Sequence, residues 1–289
     1  MSTIIVRSQT PVTVLLMAWT SKLFRKRDFI VLLIGFLAIQ VLAGLLINRL
    51  MFHPVIGGYN KSMSGFVDIG TNGVKIAARV LGPADGRKAI IYCHGNAEDL
   101  TVLDERFHGV IEKGVVVTSF DYPGYGLSSG TPDEKGCYEG AMRLYDWLVS
   151  ERGFHGEDIV VVGYSIGSGV ATELAMRRKI AGLWLESAFL SAPRAVTRKR
   201  LLLIDPFQNV SKLPTLKCPL MMLHGTSDCI VPYSQGAMLF SVSAQPKRFI
   251  AVAGAGHTDV QELVGDSTYT DLLFCFVRDP AEAVRTEGR

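Results

Sequence analysis

Short runs of β-branched and aliphatic residues alternate with amphipathic stretches along most of this chain, and that alternation sets the expected fold. Residues 67–69 and 74–81 read as strands joined at Thr71-Asn72-Gly73, where Asn-Gly is a strong hairpin signal. Residues 89–93 form a continuous apolar strand. The helix after it carries Leu100, Leu103, Phe107, Val110 and Ile111 on one face and stops at Lys113-Gly114. A strand over 115–120 follows, then a helix turning Ala141, Leu144, Tyr145 and Leu148 inward. Residues 159–162, 183–185, 220–223 and 249–252 complete eight predicted strands, with helices between them. Continuous apolar strands separated by helices predict an α/β fold, a mostly parallel eight-stranded sheet covered on both faces. Chemistry in such sheets lies beyond the carboxyl ends of the strands.

A different pattern precedes the alternation. Residues 29–47, FIVLLIGFLAIQVLAGLLI, hold no charge and one strongly polar residue, Gln40. At about 1.5 Å per residue, nineteen helical residues cover a hydrocarbon core of about 30 Å. A soluble core helix would show a polar stripe, and a signal peptide would end in a small-residue cleavage site; Asn48-Arg49-Leu50-Met51-Phe52 offers none. The expected organisation is a basic N-terminal segment (1–28), a transmembrane helix (29–47), a linker (48–64) and the α/β domain (65–289). The apolar run 12–19 is too short to span, and reads as an interfacial or disordered segment.

Charge sharpens this division. The net charge of +3 hides an asymmetry: Arg7, Lys22, Arg25, Lys26 and Arg27 face only Asp28 within 1–28, while the remainder carries 25 basic and 26 acidic residues. A near-neutral folded part excludes the concentrated basic face that nucleic-acid binding requires. Lys22, Arg25, Lys26 and Arg27 lie just before the apolar run, and only Arg49 and Lys61 close behind it. The positive-inside rule then puts the N-terminus in the cytoplasm and the α/β domain on the non-cytoplasmic side. Cys93, Cys137, Cys218, Cys229 and Cys275 are odd in number and show no disulfide or zinc spacing, so each reads as a buried small apolar residue.

The strand 159–162 runs into Gly163-Tyr164-Ser165-Ile166-Gly167 and then into a small-residue helix over 168–178. Strand, tight turn and helix lift the apical serine hydroxyl clear of the sheet, and the glycines avoid clashes with strand and helix. A second G-x-S-x-G, Gly126-Leu127-Ser128-Ser129-Gly130, has no strand leading directly into it and reads as a mobile loop. A serine hydroxyl needs a base, and the base needs a carboxylate to fix its tautomer. Of six histidines, only His257 both follows the last strand and sits in a glycine-rich loop, Gly254-Ala255-Gly256-His257. Asp228, in the loop after the penultimate strand, is the acid best positioned between Ser165 and His257, with Asp259 as the fallback. An N-cap or Asx-turn role for Asp228 fits the same residues. The backbone N–H of Ile166 is one expected oxyanion donor. The other is the backbone N–H of Asn96 in His94-Gly95-Asn96-Ala97, with Ala97 the near alternative. The Asn96 side chain is also suited to cap the helix beginning near Glu98.

Taken in order, His94-Gly95-Asn96-Ala97, Phe120-Asp121-Tyr122-Pro123-Gly124-Tyr125-Gly126, Gly163-Tyr164-Ser165-Ile166-Gly167, His224-Gly225 through Asp228, and Gly256-His257 resemble the α/β-hydrolase superfamily. The chain is similar to abhydrolase-domain proteins that pair a short cap with an N-terminal membrane segment or lipid anchor, over about residues 60 to 278. The resemblance implies Ser165 as nucleophile, His257 as base, Asp228 as acid, and esters or thioesters of fatty acids as substrates, lysophospholipids, monoacylglycerols or acylated proteins among them. Pro123 stands where many relatives have arginine, which leaves that loop's part in substrate choice open. The insertion 187–217 is the expected cap. Its Arg194, Arg198, Lys199 and Arg200 beside Leu201, Leu202, Leu203 and Ile204 suit an acyl substrate near an anionic headgroup, a bilayer surface, or an amphipathic helix packed over the sheet. The expected protein is a membrane-anchored serine hydrolase that needs no metal or organic cofactor. A serine aminopeptidase-like amidase and a non-catalytic membrane scaffold on the same fold are the alternatives.

Overall fold

In the computed structural model, which describes residues 26–285, the apolar run becomes a single helix, α1 (Lys26–Met51). Asp28 in its first turn and Arg49 in its last complement the helix dipole. Phe29, Ile30, Val31, Leu32 and Ile34 are exposed. Among the described residues no helix is long and apolar enough to cross a membrane, and the side chains at 44, 45, 47 and 50 are not among those described. The expected span is therefore present as a helix without being established as a transmembrane one. Positions 1–25, with most of the basic segment and the 12–19 run, lie outside the described residues. The chain divides into two units, Met1–Leu46 and Ile47–Arg289.

Eight strands build one sheet: β1 (Phe66–Asp68), β2 (Ala77–Leu81), β3 (Ala89–Cys93), β4 (Val116–Phe120), β5 (Ile159–Tyr164), β6 (Gly182–Glu186), β7 (Leu220–Gly225) and β8 (Lys247–Val252). Their order is β1-β2-β4-β3-β5-β6-β7-β8. The β1–β2 and β2–β4 pairs are antiparallel and all others parallel. The hairpin turns as expected, with left-handed φ of 55° at Asn72 and 80° at Gly73. The strand expected over 74–81 starts only at Ala77. Val74 closes the turn onto Thr71 O, and Lys75 pairs instead with Ser129 of the 126–130 loop. Cross-strand register aligns Cys93 with Gly163, Tyr164 with Glu186, and Gly225 with Val252. The loops leaving these strands therefore converge on one rim.

Nine helices are described: α1, α2 (Leu103–Glu112), α3 (Glu134–Arg152), α4 (Gly167–Arg177), α5 (Ala192–Thr197), α6 (Tyr233–Val242), α7 (Val260–Val264), α8 (Asp266–Arg278) and α9 (Pro280–Ala283). Period-two alternation sends Ile90, Tyr92, Val160 and Val162 toward Leu103 and Phe107 of α2 and Leu273 and Phe276 of α8. Ile91, Cys93 and Val161 face Ala141 and Leu144 of α3 and Val170 and Leu174 of α4. The core is thus two apolar layers, one on each face. Helix α3, the longest after α1, is held at both ends. Asp133 accepts from Gly136 N at 2.6 Å, and Gly153 closes it at φ 72°.

Three expectations change. The cap insertion contains only the six-residue α5 and a 3₁₀ turn at Leu213–Thr215, each with a proline in its first turn, because Arg198 ends α5 at φ 64° and Pro206 bars a helix through the segment between them. The 126–130 loop is fixed rather than mobile: Ser128 Oγ donates to Asp121 O at 2.8 Å and accepts from Ala77 N at 3.0 Å. Cys93 and Cys137 are buried as expected, but Cys229 and Cys275 are exposed. Leu185, fully buried mid-sheet, offers a direct test of the core. We predict that Leu185→Ala lowers unfolding free energy by about 2–5 kcal/mol in denaturant titration. A loss within experimental error would mean that Leu185 is not packed in the same core layer as Ile91, Val161 and Leu174.

Candidate active site

At the rim, β5 ends at Tyr164 and α4 begins at Gly167, which leaves Ser165 and Ile166 to make the turn. Ser165 has φ 52°, the left-handed region that costs an L-residue about 1–3 kcal/mol. Its neighbours hold it there. Ser165 N donates to Glu186 O at 3.0 Å, and Ser168 N donates to Ser165 O at 2.9 Å. Glycine is required on both sides: a Cβ at Gly163 would come within 2.6 Å of Ala171 Cβ, and one at Gly167 within 2.0 Å of Cys93 O.

The three residues singled out by chain order meet at this apex. His257 Nε2 lies 2.9 Å from Ser165 Oγ, and its Nδ1 lies 2.8 Å from Asp228 Oδ2. Asp228 fills both of the roles its sequence allowed. Its Oδ1 accepts from Ile230 N at 2.9 Å and Val231 N at 2.8 Å, which makes the loop turn, while Oδ2 faces the imidazole. Burial alone would raise its carboxyl pKa. Hydrogen bonds from His224 and His257 outweigh that and hold it well below the usual carboxylate range. Asp259, the fallback acid, accepts from Gly256 N at 2.6 Å and so shapes the His257 loop instead.

Opposite Ser165, Glu98 N donates to Gly95 O, which closes a turn with Asn96 and Ala97 at its centre. Central turn residues leave their amides unbonded inside the turn. Gly95 N is taken, donating to Glu98 Oε2 at 2.7 Å. The Asn96 side chain does not cap the next helix. Asp99 does so, accepting from Thr101 N at 2.9 Å. Asn96 instead binds the end of α1: Nδ2 donates to Met51 O at 2.7 Å, and Oδ1 accepts from His53 N at 2.9 Å and Tyr125 OH at 2.6 Å. Residues 51–53, within the expected linker (48–64), are thereby fixed to this loop.

Sequence reading passed over the residues that brace the apex. Tyr164 OH donates to His257 O at 3.1 Å, so the residue before the serine also holds the His257 loop. Arg106 lies 5.0 Å from the centre of the Tyr164 ring and pairs with the buried Glu186 carboxylate. Glu186 also accepts from Trp184 Nε1 at 2.8 Å and from Tyr269 OH. Burial would favour neutral Arg106, but the Glu186 charge outweighs it and keeps the guanidinium charged. Behind the turn at Gly95, His94 Nε2 and Asp121 Oδ1 lie 3.8 Å apart, both buried and without a hydrogen-bond partner. Tyr59 OH donates to the other Asp121 oxygen. Burial pushes the Asp121 carboxyl up to about 7 and the His94 imidazole down. Among the described residues no group of metal-ligating side chains is assembled.

Comparison with known proteins agrees with this architecture. The Alpha/beta hydrolase family matches residues 90–211. Alpha/beta hydrolase domain-containing protein 17B of Homo sapiens is 33% identical over 196 residues, which cover 67% of either chain. Alpha/beta hydrolase domain-containing protein aho-3 of Caenorhabditis elegans is 33% identical over 199 residues, 68% of this chain but 59% of that one. An esterase from Pyrococcus furiosus superposes with a TM-score of 0.64 at 17% identity, over 78% of this chain and 98% of its own. A puromycin-hydrolyzing peptidase from Mycobacterium tuberculosis superposes with a TM-score of 0.62 at 15% identity, over 78% of this chain and 40% of its own. Sheet order and the strand–turn–helix at Ser165 define an α/β-hydrolase fold. The chain belongs to the α/β-hydrolase family.

The Asp121 environment predicts a pH dependence of stability. An unfolded aspartate releases its proton near pH 4, whereas the folded carboxyl retains it up to about 7. The stabilisation is complete below about pH 4, is lost as pH rises through about 7, and is flat beyond. Across that window wild-type stability should fall by an amount on the order of a few kcal/mol relative to Asp121→Asn. Parallel pH–stability curves for the two proteins would show that Asp121 ionises normally.

Proposed function

We propose that this protein is a membrane-anchored serine hydrolase that cleaves carboxylic esters or thioesters of lipid-like acyl groups. The carrying observation is the unbroken hydrogen-bonded series from Ser165 Oγ through His257 to Asp228. In this reading His257 Nε2 takes the Ser165 proton as Oγ attacks the acyl carbonyl, and Asp228 stabilises the imidazolium. The N–H groups of Ile166 and Asn96 stabilise the oxyanion. Each such donor contributes about 3 kcal/mol to the transition state. The imidazolium then protonates the leaving alkoxide or thiolate, and water, activated by the same base, releases the acid and restores Ser165.

Anchoring is supported by the uncharged run 29–47 and by the exposed apolar side chains of α1. The basic residues before that run support a cytoplasmic N-terminus and a non-cytoplasmic catalytic domain. A second reading, an amidase, has a specific motive: one protein of the same fold is a peptidase, and a serine triad alone does not separate ester from amide.

Labelling with a fluorophosphonate tests the nucleophile. Wild type should label, Ser165→Ala should not, and Asp228→Asn should label about 10³–10⁴-fold more slowly. Undiminished labelling of Ser165→Ala removes the serine-hydrolase reading. Turnover of aminoacyl amides in preference to a series of acyl esters would favour the amidase.

A further inference from the structure

Five large apolar side chains near the rim stand in water: Val196 at 83% exposure, Leu203 at 63%, Leu201 at 60%, Ile230 at 56% and Ile204 at 48%. Isolated exposed aliphatics are ordinary on soluble proteins, but four within nine consecutive positions are a patch. Arg198, Lys199 and Arg200 lie in the middle of that segment, and no acid occurs between 187 and 204. The next acid, Asp205, is buried, bonded to Ser191 and Arg194 and 3.7 Å from Arg200, which leaves Arg198 and Lys199 as the cations without a carboxylate beside them among the ion pairs described. Aliphatic residues interleaved with cations on long flexible stems match a phospholipid surface, which offers phosphates at the headgroups and hydrocarbon just beneath.

Two further contacts tie the patch to the rim and to the end of α1. Arg198 Nη2 lies 3.5 Å from Cys229 O, which joins the cap to the Asp228 loop and brings Ile230 beside it. Phe52, one residue past α1, is buried with its ring centre 6.0 Å from that of Phe207 in the cap and 6.5 Å from that of Tyr125. Asn96 holds Met51 O and His53 N directly. The α1 exit, the oxyanion loop and the cap are therefore one packed cluster with no free linker between them.

We propose that residues 196–204 and Ile230 form a phospholipid-docking surface that seats the rim around Ser165 on the membrane surface. Substrate acyl chains would then reach the serine from the bilayer without crossing water. The proposal rests on the reading of α1 as a membrane anchor, and the test separates the two.

The full-length chain is placed in phosphatidylcholine–phosphatidylserine vesicles and, separately, in nonionic detergent micelles, and amide hydrogen exchange is followed in both. Docking predicts exchange over 196–204 and 229–231 at least about fivefold slower in vesicles. Residues 84–88, before the amino end of the central strand β3 and so on the rim away from Ser165, should exchange equally in the two. A chain that floats with the vesicles but exchanges identically at 196–204 in both settings overturns the docking surface and leaves the anchor standing. A chain that does not float overturns both. Slowing that depends on protein concentration instead of lipid assigns the patch to a second copy and overturns the proposal. In Leu201→Asp/Leu203→Asp the slowing should vanish. Hydrolysis of a vesicle-embedded long-chain ester by this variant should drop about tenfold or more, with a water-soluble short-chain ester cleaved within about twofold of wild type.

Discussion

An imidazole keeps one tautomer only when one of its ring nitrogens has a committed acceptor, and His257 has such an acceptor in Asp228 Oδ2, 2.8 Å from Nδ1. With the proton held at Nδ1, the lone pair of Nε2 faces Ser165 Oγ at 2.9 Å. The carboxylate cannot turn away, because its second oxygen is bonded to the Ile230 and Val231 amides. The loop turn and the orientation of the imidazole are thus one device. Losing the turn would release the carboxylate from the histidine.

Behind this device stands a brace of buried charge. Arg106 and Glu186 form an ion pair under the sheet rim, with Trp184 and Tyr269 donating to the same carboxylate. An isolated buried charge would be costly, so the pair persists only because its hydrogen bonds are nearly complete. Its backbone carbonyl receives Ser165 N, and its arginine packs on Tyr164, which in turn holds the carbonyl of His257. Ser165 and His257 are therefore braced by the same few residues, although 92 positions separate them.

Much of this was legible in the residue pattern. Continuous aliphatic runs marked every parallel strand, because such strands are buried on both faces and tolerate little else. Chain order and glycine placement picked out Ser165, Asp228 and His257. The brace was not legible. Arg106 occupies a polar position in an amphipathic helix, and Glu186 ends an apolar strand, so neither differs locally from a solvated charge. The role of the Asn96 side chain was hidden for another reason. Its partners Met51 and His53 lie more than forty positions away, and the segment holding them reads as linker by composition. The low helical content of the cap was not legible either, because its amphipathic spacing gave no sign that Arg198 would end the helix after six residues.

The account turns on which atom receives the acyl group. Acid-quenching the full-length protein during turnover of a slowly hydrolysed acyl ester, followed by tandem mass spectrometry of its peptides, locates that atom directly. The account predicts a single acyl adduct on Ser165, absent from His257→Ala quenched at the same time. An adduct on Ser128 or Cys229, or steady turnover with no covalent adduct on any residue, would contradict it.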